Sequence, residues 1–321
     1  MNYLSSLSFC LFIGLSATCI TAVDAVESYL VMEANSGRVF LAANSEKKRP
    51  VASLTKIAAA KVVLDWATLS QTSLSSHATV PQSMLTMAGP NPMDLRPGEE
   101  IQLRDALYSA LLGSDSIAIH TLADHVGRSI MARRGAAGEP QKVFVHEMNQ
   151  LAQSLGMRRT RFRTAHGLET DFRKGYSTAS DMARMSVYAM RDVGFAFYVK
   201  QKKRTVSVNG LNGSKRSFEI QNTNPLIGEL GVNGIKTGLT MEAGQCIAIN
   251  SHRSPVVRKI DDTRSQIRKR DLVLVILGSD DRIGRAKELI TQAWPLYDQW
   301  VVAGFPVSPK AKELLVVPRL R

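Results

Sequence analysis

Ala52-Ser53-Leu54-Thr55-Lys56, directly after Pro50-Val51, opens a run in which Ile57, Ala60, Val63, Leu64 and Ala67 recur at three- and four-residue spacing. That period predicts a helix starting at Ser53. A serine and a lysine three residues apart on a helix share one face. At a first turn, unpaired backbone N–H groups and the positive helix end surround Ser53, an environment that favours an alkoxide-like nucleophile and then an oxyanion. Lys56, set among Ile57, Ala60 and other cations, is expected to lose proton affinity through desolvation and like-charge repulsion. A neutral amine beside a hydroxyl is a general base, so the two residues have the form of an activated Ser–Lys pair. The spacing alone also fits an N-cap serine with a surface lysine. Two further groups lie downstream: Ser114-Asp115-Ser116 after an apolar run, and Lys236-Thr237-Gly238 within residues 232–240.

Around these groups the chain alternates between two periods. Residues 28–44 carry two apolar runs flanking Glu33-Ala34-Asn35-Ser36-Gly37, which reads as a β-hairpin. Pro81, Pro90, Pro92 and Pro97 mark residues 70–100 as a loop-rich connection. Residues 103–126 are helical with a break at 113–116, where a serine or aspartate caps the second helix and also projects into a cleft. Helices are expected over 143–155, 182–190 and 285–300, and strands over 205–209, 217–220, 232–236, 246–250 and 272–277, the last apolar enough to be central. Between the final two strands, residues 251–271 hold Arg253, Arg258, Lys259, Arg264, Arg268, Lys269 and Arg270. This segment reads as a protruding basic loop or extended hairpin, solvated by default, with an anionic polymer as the sharper alternative. Strands from both chain ends with helices between them predict a mixed α/β domain over residues 26–300, a mostly helical lobe inserted at about 66–190, and a short tail over 301–321. The cleft would lie between the lobes.

The 321 residues, 44% of them hydrophobic, suffice for one large or two small cores, and 21% charged residues exclude a polyelectrolyte or a membrane bundle. Residues 3–23 are uncharged, apolar and small, and end at Val23-Asp24-Ala25. They read as a cleaved export signal over residues 1–25, with an uncleaved anchor as the alternative because no Lys or Arg precedes the apolar stretch. Cys10 and Cys19 fall inside that segment, leaving Cys246 alone and flanked by Ile247, Ala248 and Ile249, as a buried structural cysteine would be. The net charge of +13 comes without zinc-ligand spacing or an aromatic-interleaved basic stripe, so no nucleic-acid partner is expected. Weak contact with a membrane surface or an anionic envelope polymer, or simple solubility, accounts for it.

Ser53-Leu54-Thr55-Lys56, Ser114-Asp115-Ser116 and Lys236-Thr237-Gly238 together resemble the motif set of the penicillin-recognising serine acyl transferases. Leu155-Gly156-Met157, His166-Gly167-Leu168, Tyr176-Ser177-Thr178-Ala179, Asn222-Thr223-Asn224 and Gly234-Ile235-Lys236-Thr237-Gly238 are similar to stretches of the low-molecular-mass penicillin-binding proteins. These are the D-alanyl-D-alanine carboxypeptidases and endopeptidases, and the resemblance covers residues 27–300. It implies a β-lactamase/DD-peptidase-like fold with an antiparallel sheet built from both chain ends. It also implies Ser53 as nucleophile, Lys56 as base and Ser114 as proton relay to the leaving amine. Ser116, Lys236, Thr237, Gly238 and Leu239 would contact substrate. Lys236 would keep the cluster electropositive and, with Thr237, receive the terminal carboxylate. Gly238 would leave room for a substrate lying as an added strand, and the N–H groups of Ser53 and Leu239 would hold the oxyanion. Such chemistry calls for no metal and no cofactor.

One departure is Ser116, where the family has Asn, a longer side chain with both donor and acceptor. Asp115 adds a charge at the middle position, directed either away or toward a cation. His120 and His125, five apart and without His-Glu-x-x-His, do not make a zinc helix, and His166 reads as structural or cleft-lining. No Glu-x-x-Leu-Asn serves deacylation, Glu169 and Asp171 being weak substitutes, so β-lactams are expected to act as persistent covalent inhibitors. The resemblance thus implies an exported, periplasmic serine-type D-Ala-D-Ala carboxypeptidase acting on peptidoglycan stem peptides. The alternatives are an endopeptidase cutting cross-links with the same site, toward which the short tail leans, and a non-catalytic envelope-binding or sensor protein, suggested by Ser116.

Overall fold

The apolar run Leu272-Val273-Leu274-Val275-Ile276-Leu277 is buried throughout, because two different cores claim its alternate residues. In the computed structural model, which describes residues 27–168, 174–306 and 314–319, it lies in strand β9 (Ser265–Ser279). β9 is central in an antiparallel sheet that runs β2 (Val39–Ala43), β1 (Ser28–Glu33), β9, β8 (Gly244–Lys259), β7 (Val232–Thr240). Successive strand side chains point to opposite faces. Val273, Val275 and Leu277 therefore join one core, and Leu272, Leu274 and Ile276 the other. The second core is closed by the C-terminal helix α7 (Arg282–Val302) through Leu289, Ile290, Ala293, Trp294, Tyr297 and Trp300. Asp281 caps that helix, its carboxylate accepting from the N–H groups of Ile283 and Gly284.

The first core is organised around helix α1 (Thr55–Ser70), whose residues Thr55–Leu64 are all buried. A helix apolar on every side belongs inside a domain. Around it pack α2 (Leu103–Leu112), α3 (Ser116–Arg134), α4 (Pro140–Ser154), α5 (Ala179–Met190) and α6 (Val193–Val199). A second antiparallel sheet runs β3 (His77–Thr79), β4 (Glu100–Gln102), β5 (Lys203–Asn209), β6 (Lys215–Gln221). The mixed α/β reading with sheet segments from both chain ends is therefore correct. The helix expected from Ser53 instead begins at Thr55, after a 3₁₀ turn over Ala52–Leu54. The loop-rich connection also contains β3, and the helical lobe borders a sheet, since three-residue strands are too short to display a period. The basic segment is an extended hairpin, with Val257 opposite Ile267 and Lys259 opposite Ser265. Among the described residues no helix is long and apolar enough to cross a membrane. The expected export signal, Glu169 and Asp171 lie outside the described residues.

Candidate active site

Edge strand β7 runs against the 3₁₀ turn that carries Ser53, with Gly238 close beside it. A Cβ at Gly238 would stand 3.1 Å from Ser53 N and 3.2 Å from both Ala52 Cβ and Val51 O. A side chain at this position would thus press on the chain's own turn as well as on a ligand. Two non-glycine residues of the site are left-handed, Ala52 at φ +47° and Ser114 at φ +60°. Each such residue costs about 1–2 kcal/mol and persists only where its surroundings over-determine it.

Ser53 is almost buried and Lys56 fully so. Lys56 Nζ lies 2.9 Å from Ser53 Oγ, 3.3 Å from Ser116 Oγ and 3.1 Å from the His166 carbonyl oxygen. A neutral amine has two N–H donors and one lone pair, and a carbonyl can only accept. With Lys56 neutral, one of the two hydroxyls must therefore donate to it, which is the arrangement a base needs toward Ser53. Burial pushes Lys56 down to about 7, and the charge of Asp115 opposes this by raising it. Desolvation is as expected from the sequence. The expected like-charge repulsion is replaced, at Lys56, by an attraction to Asp115.

Asp115 does not point away. Its Oδ1 accepts from the N–H groups of Ile117 and Ala118, both at 2.9 Å, capping α3, and Oδ2 accepts from Ser109 Oγ at 2.8 Å. Burial raises its carboxyl to about 6 against those hydrogen bonds and the nearby Lys56. Ser114, half-buried at the junction of α2 and α3, forms no side-chain hydrogen bond among the described residues. The hydroxyl brought to Lys56 is that of buried Ser116, whose own N–H is fixed to the Pro90 carbonyl at 2.8 Å.

Above pH about 7 Lys56 is unprotonated, so acylation is expected to rise with pH through that value. Asp115→Asn retains a capping oxygen but removes the negative charge that raises Lys56. The acid limb of a pH–rate profile for covalent labelling should then move to lower pH, and an unmoved limb would refute the coupling.

Lys236, also buried, is held well below the ordinary lysine range, first by burial and then by the charges of Lys56 and Arg282. Its Nζ donates to the Thr237 carbonyl at 3.0 Å, and Thr237 Oγ1 lies 2.6 Å from Thr223 Oγ1. Arg282, at the first turn of α7, donates from Nη1 to the Gly238 carbonyl at 2.7 Å. Burial lowers it as well, but a guanidinium stays charged at neutral pH. Arg282, which no motif marks in the sequence, thus adds a positive charge beside Gly238 and Lys236. Leu239 pairs with Gln245 of β8 and leaves its side chain 61% exposed.

The His166 ring is not a base. Burial, with the charges of Lys56 and His120, pushes it down to about 3, and its Nδ1 accepts from the Leu168 N–H at 3.1 Å. Its carbonyl is the part that serves Lys56. Cys246 is buried and its thiol is pushed up to about 11 by burial. Beside the Ser53 turn, Val51, Thr55, Gly89, Leu168, Tyr176 and Thr240 help line a cavity of about 310 Å³.

The family profile of peptidase S11, described as D-alanyl-D-alanine carboxypeptidase, matches residues 17–257. The chain is 27% identical over 298 residues to D-alanyl-D-alanine carboxypeptidase DacC of Escherichia coli, covering 90% of this chain and 65% of that protein. It is 30% identical over 233 residues to a D-alanyl-D-alanine endopeptidase of Pseudomonas aeruginosa, covering 71% and 68% respectively. The chain thus spans a little under two thirds of the length of the Escherichia coli carboxypeptidases DacC and DacA. Its fold is similar to the crystal structure of the Streptomyces K15 DD-transpeptidase, with TM-score 0.69 and 24% identity over 83% of this chain and 96% of that one. It is also similar to penicillin-binding protein D2 of Listeria monocytogenes in the ampicillin-bound form, with TM-score 0.63 and 22% identity over 83% and 95%.

Proposed function

Because this chain belongs to the S11 family of D-alanyl-D-alanine carboxypeptidases, we propose that it hydrolyses the D-Ala-D-Ala bond of peptidoglycan stem peptides through an acyl-enzyme on Ser53. The observation that carries the proposal is the fully buried Lys56 amine 2.9 Å from Ser53 Oγ, where burial pushes it down to about 7. Ser53 Oγ attacks the scissile carbonyl as Lys56 takes its proton. The oxyanion accepts from the N–H groups of Ser53 and Leu239. The leaving D-alanine takes its proton from Lys56 by way of the Ser116 hydroxyl, 3.3 Å from Nζ, in place of Ser114, which makes no hydrogen bond to Lys56. Ser116 keeps the Lys56 amine aimed. Thr237 and Lys236, with the Arg282 charge behind them, receive the terminal carboxylate. Water then attacks the ester with Lys56 again as base, which restores Ser53. The substrate lies as an added strand along the edge of β7 that pairs with no strand among the described residues. β-Lactams acylate the same serine, and the chain acts outside the cytoplasm after export through residues 1–25.

The test is to incubate the protein with a linear stem pentapeptide ending in D-Ala-D-Ala and, separately, with a cross-linked muropeptide dimer. Release of D-alanine from the linear peptide is expected. Loss of the dimer alone would move the reading to the endopeptidase. No product from either, together with no covalent labelling by a fluorescent penicillin, would leave the binding or sensor reading.

A further inference from the structure

Beyond the pair Arg253–Arg270, β8 and β9 pair as strands only with each other, because β7 pairs with β8 no further than Ser251 and β1 with β9 no further than Leu272; Asn35 Nδ2 donates to the Lys269 carbonyl at 3.5 Å at the base of this stretch. The result is a two-stranded ribbon standing clear of the sheet, and its two faces differ. One face is committed to the protein. Arg253 pairs with Asp298 at 3.1 Å and lies over the Trp294 ring at 4.2 Å, while Arg268 lies over the Phe305 ring at 3.2 Å.

Among the described residues the side chains of the other face make no hydrogen bond, ion pair or ring contact outside the ribbon. Val257 and Ile267 are opposite one another and 60% and 66% exposed. Lys259 and Lys269 extend the same face on either side of that apolar pair, both exposed. Residues 252–270 hold seven Lys and Arg against Asp261 and Asp262. Asp261 is engaged by Arg264, and Asp262 by Lys259 at 2.7 Å.

We propose that this outer face docks on an anionic lipid bilayer, Val257 and Ile267 entering the interfacial layer while the lysines meet headgroup phosphates. The apolar centre argues for a bilayer over a hydrophilic polyanion, which would gain nothing from Val257 and Ile267. The lysines argue against a second copy of the chain, since face-to-face pairing would oppose like charges. Gly238 is opposite Cys246, eleven residues along β8 from Val257, so the contact stands roughly 35 Å from Ser53 at about 3.3 Å per residue. The proposal is independent of the catalytic reading.

The test uses the full chain with vesicles of phosphatidylglycerol and phosphatidylethanolamine. Each lysine near such a surface contributes about fivefold, so Lys259→Gln/Lys269→Gln should bind roughly thirtyfold more weakly. Val257→Ser/Ile267→Ser should also bind more weakly, and vesicles of phosphatidylcholine alone should bind the parent poorly. Residues 3–23 are common to parent and variants, so the readout is the difference between them, together with slowed hydrogen exchange of ribbon amides on vesicle addition. Thermal unfolding confirms that the surface variants fold. Equal vesicle binding by parent and both variants would overturn the proposal. So would full vesicle binding by Val257→Ser/Ile267→Ser with retention of the parent on dextran sulfate, which would assign the ribbon to a soluble polyanion. A dimer abolished by the same apolar substitutions, with no change in ribbon exchange on vesicles, would assign it to a second copy.

Discussion

Ser53→Ala is expected to slow D-alanine release by about 10⁶-fold, the scale seen when a serine hydrolase loses its nucleophile, and to abolish covalent labelling by a fluorescent penicillin. The amine of Lys56 would remain in place but with no hydroxyl to activate. The fold should not suffer, because the Ser53 side chain is bonded to Lys56 and Lys56 keeps two further oxygens, Ser116 Oγ and the His166 carbonyl. Those two accept both N–H groups of a neutral amine. Thermal unfolding of the variant should therefore match the parent or exceed it slightly. Persistent labelling of the folded variant would sink the assignment of the nucleophile.

Gly167→Ala should be the most damaging change that removes no functional group. Gly167 has φ +76°, and a Cβ there would lie 2.0 Å from the Ala52 carbonyl oxygen and 2.7 Å from Thr55 Oγ1. Both neighbours belong to the turn and first helical residue that flank Ser53, and the Ala52 carbonyl is main chain, so it cannot retreat without shifting the Ser53 turn. The left-handed backbone costs about 1–2 kcal/mol for a residue with a Cβ, and overpacking adds about 1–3 kcal/mol, giving a loss of roughly 2–5 kcal/mol in stability. Retreat of the loop would also withdraw the His166 carbonyl from Lys56. Denaturant unfolding and labelling rate should fall together. A variant within about 0.5 kcal/mol of the parent would show that the loop yields freely, as ordinary surface positions do.

What could be read from the sequence had either a period or a spacing. Ser53 and Lys56 were legible because a helical period places them on one face, and β9 because six consecutive apolar residues need cover on both sides. Asp115 was legible as a cap, yet its attraction to Lys56 was not, since that depends on how α3 docks against α1. The His166 carbonyl could not be found at all: a main-chain oxygen has no residue-type signature, and the nearby imidazole drew attention instead. Arg282 was equally silent, being one basic residue among 41 whose position at the start of α7 alone carries it to Gly238. Sequence spacing put Ser114 and Ser116 in the cleft together, but only the conformation at residues 113–116 decides which hydroxyl reaches Lys56.

β9 gives the molecule one further property. Its odd-numbered residues from Val273 to Leu277 are stitched into the core around α1, and its even-numbered residues into the core under α7. A strand cannot release one face while holding the other, since its ladder to β1 and β8 serves both. Melting of either core therefore removes the floor of its neighbour. The two should act as a single cooperative unit, with the amides of Leu272 to Leu277 exchanging only when the whole domain opens.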